Sequence, residues 1–284
     1  MNVKGTSIAH LNVRGLQKNV EELKVLTFKY NCKFLCISET FLNFHNSNTP
    51  LKIANFTLLC RDRVAKHGGG VCLYIRHGVV YKQIKELENI LSESITVLLS
   101  PLSTHPFLLS TVYRPPNTPS SWLKPFQAYD SKCYTICPDL TILGDFNINL
   151  FLPHQSWQQL TASLHLSQLI KSPTRVQAKS STLIDHIHAS QEHHVVKSGV
   201  LDVGLSDHCL IFMVRKTGQT KHSTLPSRHQ IRCNKWNFQN LKDLTTELAM
   251  TLWNHIYLAP TVDDMLSKFF TKLKSILHRH VKIK

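Results

Sequence analysis

The sequence predicts a layered α/β protein with mixed sheets, followed by a helical appendage. Short runs rich in Val, Ile, Leu and Phe recur from residue 6 to about residue 215. Helical patterns lie between some of them, and the texture changes beyond Arg215. Many strands with a few interspersed helices must bury their apolar faces against one another, which is the condition for stacked α and β layers.

Taken in order, SIAHLNV (7–13) opens the series as a strand. Residues 16–30 (LQKNVEELKVLTFKY) then place Val20, Leu23, Leu26 and Tyr30 on one helical face. FLCIS (34–38), GGVCLYI (69–75), SITVLLS (94–100), LLSTVY (108–113) and LTILGDF (140–146) are short apolar runs of strand length. Residues 154–170 (HQSWQQLTASLHLSQLI) give a second helical face from Trp157, Leu160, Leu164 and Leu166. STLIDHIHA (181–189) and LIFMV (210–214) complete the strands. The next stretch, KTGQTKHSTLPSRHQIRCNK (216–235), is basic and without apolar periodicity, as a linker is. Two amphipathic helices are expected at 238–256 and 262–281. The expected organisation is a body at 1–215, a linker at 216–237 and a helical tail at 238–284.

A chain of 284 residues with 42% hydrophobic content can bury a substantial core. It has no apolar stretch near the roughly 20 residues of a membrane span. The N-terminus has no cationic segment followed by a long apolar run, so secretion is not expected. The eight cysteines are therefore expected as reduced thiols rather than a disulfide framework. Cys32/Cys36 and Cys133/Cys137 have no second pair at zinc-site spacing and read as structural. Lys plus Arg is 33 against 18 for Asp plus Glu, a net charge of +15 that suits a polyanion such as a nucleic-acid backbone.

Several strand ends break the apolar pattern with groups that can do chemistry. Asn12 ends the first strand, Glu39 the second and Tyr113 a later one. In TILGDFNINL (141–150) an apolar run finishes on Asp145 and Asn147, two positions apart, so on an extended chain both would face one way. An Asx-rich turn is the alternative there. Asp185 lies inside STLIDHIHA, where an unpaired charge is costly and a histidine would serve as partner. Asp207 and His208 precede the last strand.

In this order the motifs N-x-x-G-L, S-E-T, Y-R-P-P-N, G-D-F-N, I-D-H-I and S-D-H resemble the series of the endonuclease/exonuclease/phosphatase superfamily, over about residues 7–215. YRPPN, IDHI and SDHC are more particularly similar to the apurinic-type endonuclease domain of non-LTR (LINE-type) retrotransposon polyproteins. KFFTKLKSILHRHVKIK is similar to the segment joining that endonuclease to the reverse transcriptase, so an endonuclease domain separated from its polymerase is expected.

The resemblance implies a four-layer α/β/β/α sandwich of two mixed sheets flanked by helices, and a metal-dependent endonuclease that nicks DNA. It implies Mg²⁺, with Mn²⁺ as an alternative, held by Glu39 with Asn12 beside it and Asp207 directly or through water. Asp145 would orient or deprotonate the attacking water, with Asn147 holding that water and a phosphate oxygen. Tyr113 would donate to the phosphate, as would His208, whose tautomer and charge Asp185 would fix. Double-stranded DNA is the implied partner and the element's own RNA a further candidate. The implied site of action is nuclear, after cytoplasmic synthesis; no oligomeric state is assigned. Arg14 stands where repair enzymes of the superfamily usually carry an aspartate, which counts against abasic-site repair. A phosphatase or phospholipase of the same superfamily and an inactive nucleic-acid-binding remnant are the alternatives. Arg61, Arg63 and Lys66, crowded before GGGVCLYI, are expected to contact DNA phosphates.

Overall fold

The computed structural model describes residues 3–42, 51–63, 68–91, 93–100, 105–216 and 238–280. The chain divides into two compact units, Met1–Lys221 and His222–Lys284.

In the first unit the elements begin β1 (Thr6–Asn12), α1 (Val20–Lys29), β2 (Phe34–Ser38), β3 (Phe56–Arg61), β4 (Val71–Arg76) and β5 (Tyr81–Gln83). They continue with α2 (Lys85–Glu88), β6 (Ser94–Leu99), β7 (Phe107–Tyr113), α3 (Leu123–Ile136), β8 (Leu140–Asp145) and α4 (Gln155–Ser163). Then come β9 (Ser167–Gln168), β10 (Arg175–Gln177), β11 (Ser180–Thr182), β12 (Asp185–Ala189), β13 (Val195–Leu201) and β14 (Leu210–Arg215).

One six-stranded sheet has the order β13-β14-β1-β2-β4-β3 and the other β5-β6-β7-β8-β12-β9, with β10-β11 a separate hairpin. The central strands β1, β2, β7, β8 and β14 are buried at every position, polar residues included, because both of their faces are covered. Ile8, Phe34 and Cys36 enter the core between the sheets, with Leu109, Leu143 and Ile187 from the second sheet. Their neighbours Ala9, Leu35 and Ile37 face outward, among Leu16, Val20 and Leu23 of the α1 region. Leu108, Val112 and Ile142 of the second sheet pack with Phe126 and Tyr129 of α3 and Trp157 of α4. Alternate residues thus feed three cores, and the result is the four-layer α/β/β/α sandwich.

The second unit holds α5 (Phe238–Met250), α6 (Asn254–Tyr257) and α7 (Val262–His280). No helix among the described residues is long and apolar enough to cross a membrane. Residues 217–237, most of the expected linker, lie outside the described residues.

Four expectations are corrected. The helix expected over 154–170 stops at Ser163: His165 takes φ 53° and Ser167–Gln168 pair with β12 as a strand. The single strand expected over 181–189 is two, β11 and β12, in different sheets. The tail helix expected over 238–256 is two as well, α5 and α6. Cys60 and Cys72 form a disulfide, although only thiols were expected. The antiparallel register of β3 and β4 sets these two directly opposite, with Cα atoms 4.2 Å apart; a pairing register is invisible in cysteine spacing. Cys32, Cys36, Cys133, Cys137 and Cys209 are free and buried, as structural cysteines are.

Candidate active site

Strand register assembles the centre of the site. β7 runs parallel to β8, pairing Tyr113 with Asp145, and β12 runs antiparallel to β8, pairing Asp185 with Asp145. Three candidate side chains therefore stand in a row across three strands. In the other sheet, parallel pairing of β1 with β2 sets Asn12 beside Ser38, so that Glu39 follows at the same sheet end. The sheets meet there: the Asn12 amide donates to Asp145 Oδ2 at 3.0 Å and the Tyr113 hydroxyl to Glu39 Oε1 at 3.0 Å.

β8 ends at Asp145, and the chain turns at once. The Asn147 N–H donates to Asp145 Oδ1 at 3.0 Å, Asn147 takes φ 49°, and its amide donates to the Arg114 carbonyl at 2.9 Å. Asp145 and Asn147 are thus the ends of an Asx turn, not two rungs of an extended strand. The turn alternative is the one realised, and the turn fixes the carboxylate.

Asp185 is fully buried, and its Oδ2 lies 2.9 Å from His208 Nδ1. Burial pulls the His208 imidazole down, but the charge and hydrogen bond of Asp185 outweigh it and raise the pKa above the ordinary histidine value. Burial, then the neighbouring charge of Asp185, pushes Asp145 up to about 8. Burial and the adjacent carboxylates of Glu39 and Asp145 raise the Tyr113 phenol, which keeps it a proton donor.

Ligand atoms of Asp145, Asp185 and His208 lie within 4.8 Å of one another, a spacing that could hold a metal ion. Asp185 Oδ1 has no hydrogen-bond partner, an orphaned buried acceptor of the kind a cation would satisfy. Two buried carboxylates and an imidazole are donors that a divalent cation accepts.

Asp207 stands apart from this group. Its Oδ2 accepts from Arg175 Nε and from the Gln177 amide, each at 2.7 Å, and its Oδ1 is 2.9 Å from Arg14 Nε. Those partners outweigh partial burial and lower its pKa. Arg14 thus meets an acid of the site's own S-D-H motif.

The expected DNA-gripping loop is also different. Arg61 pairs with Glu88 and Arg63 with Glu93, so neither is a free surface cation, and Lys66 lies outside the described residues. Arg114 is buried, donating to the carbonyls of Phe146 and Thr118 and stacking over Trp122.

Three residues that carried no sequence expectation hold the centre in place. Thr174 Oγ1 accepts the Asp185 N–H at 3.0 Å. Ser206 Oγ donates to the Asn12 carbonyl at 2.6 Å and accepts the His208 N–H at 3.1 Å, joining two motifs. His10 lies behind Asp185, with Nδ1 3.8 Å from Oδ1, and burial lowers its pKa to about 4. Ser206, inside S-D-H, was the one of the three with a motif signal.

A model of the endonuclease/exonuclease/phosphatase family matches residues 9–208. Among solved structures, the endonuclease domain of TRAS1, a telomere-specific non-LTR retrotransposon, aligns with a TM-score of 0.61 at 15% identity, over 75% of this chain and 99% of that one. The AP endonuclease LMAP from Leishmania major aligns at 0.63 and 16%, over 74% and 88%. The 3′ phosphatase NExo from Neisseria, bound to a product DNA hairpin, aligns at 0.59 and 16%, over 74% and 99%. Likeness at these identities establishes the fold. No curated protein matches the chain.

Proposed function

The chain belongs to the endonuclease/exonuclease/phosphatase family, and from that premise we propose that it is a divalent-metal-dependent endonuclease of double-stranded DNA, nicking a target site for a non-LTR retrotransposon. The observation that carries this reading is the row Tyr113–Asp145–Asp185, closed by His208 against Asp185. The charge of +15 favours DNA over a phospholipid or small phosphate ester, as does the likeness to the TRAS1 domain.

Hydrolysis needs an aligned water, a group to take its proton and donors for the phosphate. A Mg²⁺ or Mn²⁺ ion would neutralise the phosphate and the leaving oxygen. Glu39 with Asn12 beside it would hold that ion, leaving Asp145, Asp185 and His208 to the water and the phosphate. Asp207, already tied to Arg14, Arg175 and Gln177, would reach it only through water. Asp145 takes the proton of the attacking water, and the Asn12 amide and the Asn147 N–H hold its carboxylate for the task. The free carbonyl end of the Asn147 amide orients that water. His208, held by Asp185, donates to a non-bridging oxygen as the imidazolium, and Tyr113 donates beside it. Action on chromosomal DNA places the site of action in the nucleus. The whole activity is assigned to residues 1–215, with 216–237 a linker and 238–284 a separate tail.

The test is a supercoiled plasmid incubated with the purified chain and Mg²⁺, then with EDTA, alongside a phosphoinositide release assay. Cation-dependent relaxation of plasmid, absent in Asp145→Asn, is expected; phosphoinositide release without nicking would overturn the reading.

A further inference from the structure

We propose that Arg63 and Glu93 form a positioning clamp that fixes Glu39, and so set the site's grip on its cation. The inference rests on the nuclease reading for the role of Glu39, but its geometry stands on separate contacts.

Arg63 Nε donates to Glu93 Oε1 at 2.8 Å and Nη2 donates to the same oxygen, so the guanidinium has one orientation. In that orientation its Cζ sits 5.8 Å from the centroid of the Tyr113 ring, within reach of a cation–π contact. The Glu93 carbonyl accepts the Tyr113 N–H at 2.8 Å. The ion pair therefore sets the guanidinium against the ring, while the main chain at Glu93 holds the backbone, of the tyrosine whose hydroxyl donates to Glu39.

The second arm runs through the glycines. Glu93 Oε2 accepts the Gly70 N–H at 3.0 Å. Gly69, at φ +76°, lies so close that a Cβ there would come within 2.6 Å of Arg63 Cζ and of Glu93 Oε2. The carbonyls of Gly69 and Gly70 accept the N–H groups of Phe41 and Thr40 at 3.1 and 3.4 Å. Those two residues follow Glu39 directly. Glu39 itself takes φ 51°, a left-handed conformation that a non-glycine residue keeps only when its surroundings over-determine it. The clamp closes a ring, with the phenol on the Glu39 carboxylate and the glycine loop on the backbone just after it.

An ordinary surface ion pair contributes little beyond its own contact. A clamp predicts effects at Glu39. We would purify full-length Arg63→Met, Arg63→Lys and Glu93→Gln and measure Mn²⁺ affinity by calorimetry without DNA. Plasmid-nicking kcat and KM, and the ¹⁹F resonance of Tyr113 in protein labelled with 3-fluorotyrosine, complete the set. In Arg63→Met and Glu93→Gln, Mn²⁺ should bind about 10–100-fold more weakly, the range for losing a group that orients a metal ligand. kcat should fall with KM for plasmid unchanged, the Tyr113 resonance should move, and Arg63→Lys should recover little because it cannot reproduce the fork or the stack. Folded variants with wild-type Mn²⁺ affinity and an unmoved Tyr113 resonance would overturn the clamp. A raised KM and a smaller salt dependence, with cation affinity intact, would overturn it too and return Arg63 to DNA contact. If wild type neither bound Mn²⁺ nor nicked, the nuclease reading would fall, while the fluorine shift would still decide the geometry. Should Arg63→Met not fold, Glu93→Gln reads the same contacts.

Discussion

Asp145 lies out of water on β8 beside Asp185 of β12, and burial first, then that neighbouring charge, disfavours its ionised form. Asp145 accordingly keeps its proton up to about pH 8 in the cation-free fold, whereas an ordinary aspartate loses it near 3.8. The unfolded chain binds fewer protons across that window, so stability should fall as pH rises from about 4 to about 8. His208 adds to this in the same direction: its folded pKa is raised above 6.5, so its contribution is present below that value and lost as pH rises through the folded pKa. With EDTA present, the melting temperature should be lower at about pH 9 than at about pH 6, and Asp145→Asn should remove most of the difference. In activity the same residue should matter absolutely. Asp145→Asn or His208→Ala should lower plasmid nicking by roughly 10²–10⁴-fold, the scale of a lost acid–base group, while binding measured by anisotropy is spared. The principal residues of the site were legible because each interrupts an apolar run with a group that a core rejects. His10 was not, since a histidine between apolar neighbours has the same signature whether it packs or faces Asp185. Arg63 was legible only as charge; its place over Tyr113 depends on two strands meeting from different sheets.

At the scale of elements, legibility followed burial. The central strands β1, β2, β7, β8 and β14 were readable because both faces are covered and each is built around a short apolar run. The edge strands β3 and β13 mix half-exposed residues and escape that signature. α3 was hidden by Pro115, Pro116, Pro119 and Pro125. Pro125 falls in the helix's first turn, where its missing N–H leaves no bond broken. The false continuation of α4 has a matching cause: Leu164 and Leu166 keep helical spacing, yet Leu166 is buried on the way into a strand that pairs with β12. One element-scale prediction concerns β8 next to the site. A Cβ on Gly144 would lie 1.7 Å from the Val112 carbonyl oxygen of the paired strand, and backbone there has no room to yield. Gly144→Ala should therefore cost about 3 kcal/mol or more in urea denaturation, at the upper end for overpacking. Near-wild-type stability would mean that β7 and β8 can part locally, and the row formed by Tyr113 and Asp145 would be less rigid than their pairing implies.

For the whole molecule, the two sheets are joined at both ends of the sandwich, and the residues of the candidate site gather at one of them. Away from the site, Arg215 at the end of β14 donates to both carboxylate oxygens of Asp139, just before β8, at 3.0 and 2.7 Å, and lies over the Phe107 ring. Both groups are buried, so removing Arg215 leaves the Asp139 carboxylate only its contact with His194. Arg215→Met should destabilise the fold by about 3–5 kcal/mol while leaving nicking per folded molecule unchanged. A kcat defect in folded Arg215→Met would show that the far end shapes the site. The tail offers the complementary case. Every residue placed at the site lies between His10 and His208, inside the unit Met1–Lys221, and α5 to α7 contribute none of them. Their basic residues can still add sequence-independent phosphate contacts, which raise affinity without touching the chemical step. A chain ending at Lys216 should therefore nick plasmid at the full-length kcat, with any loss confined to KM and to the steepness of its salt dependence. Complete loss of nicking in a truncation that is soluble and melts cooperatively would show instead that the tail belongs to the catalytic unit.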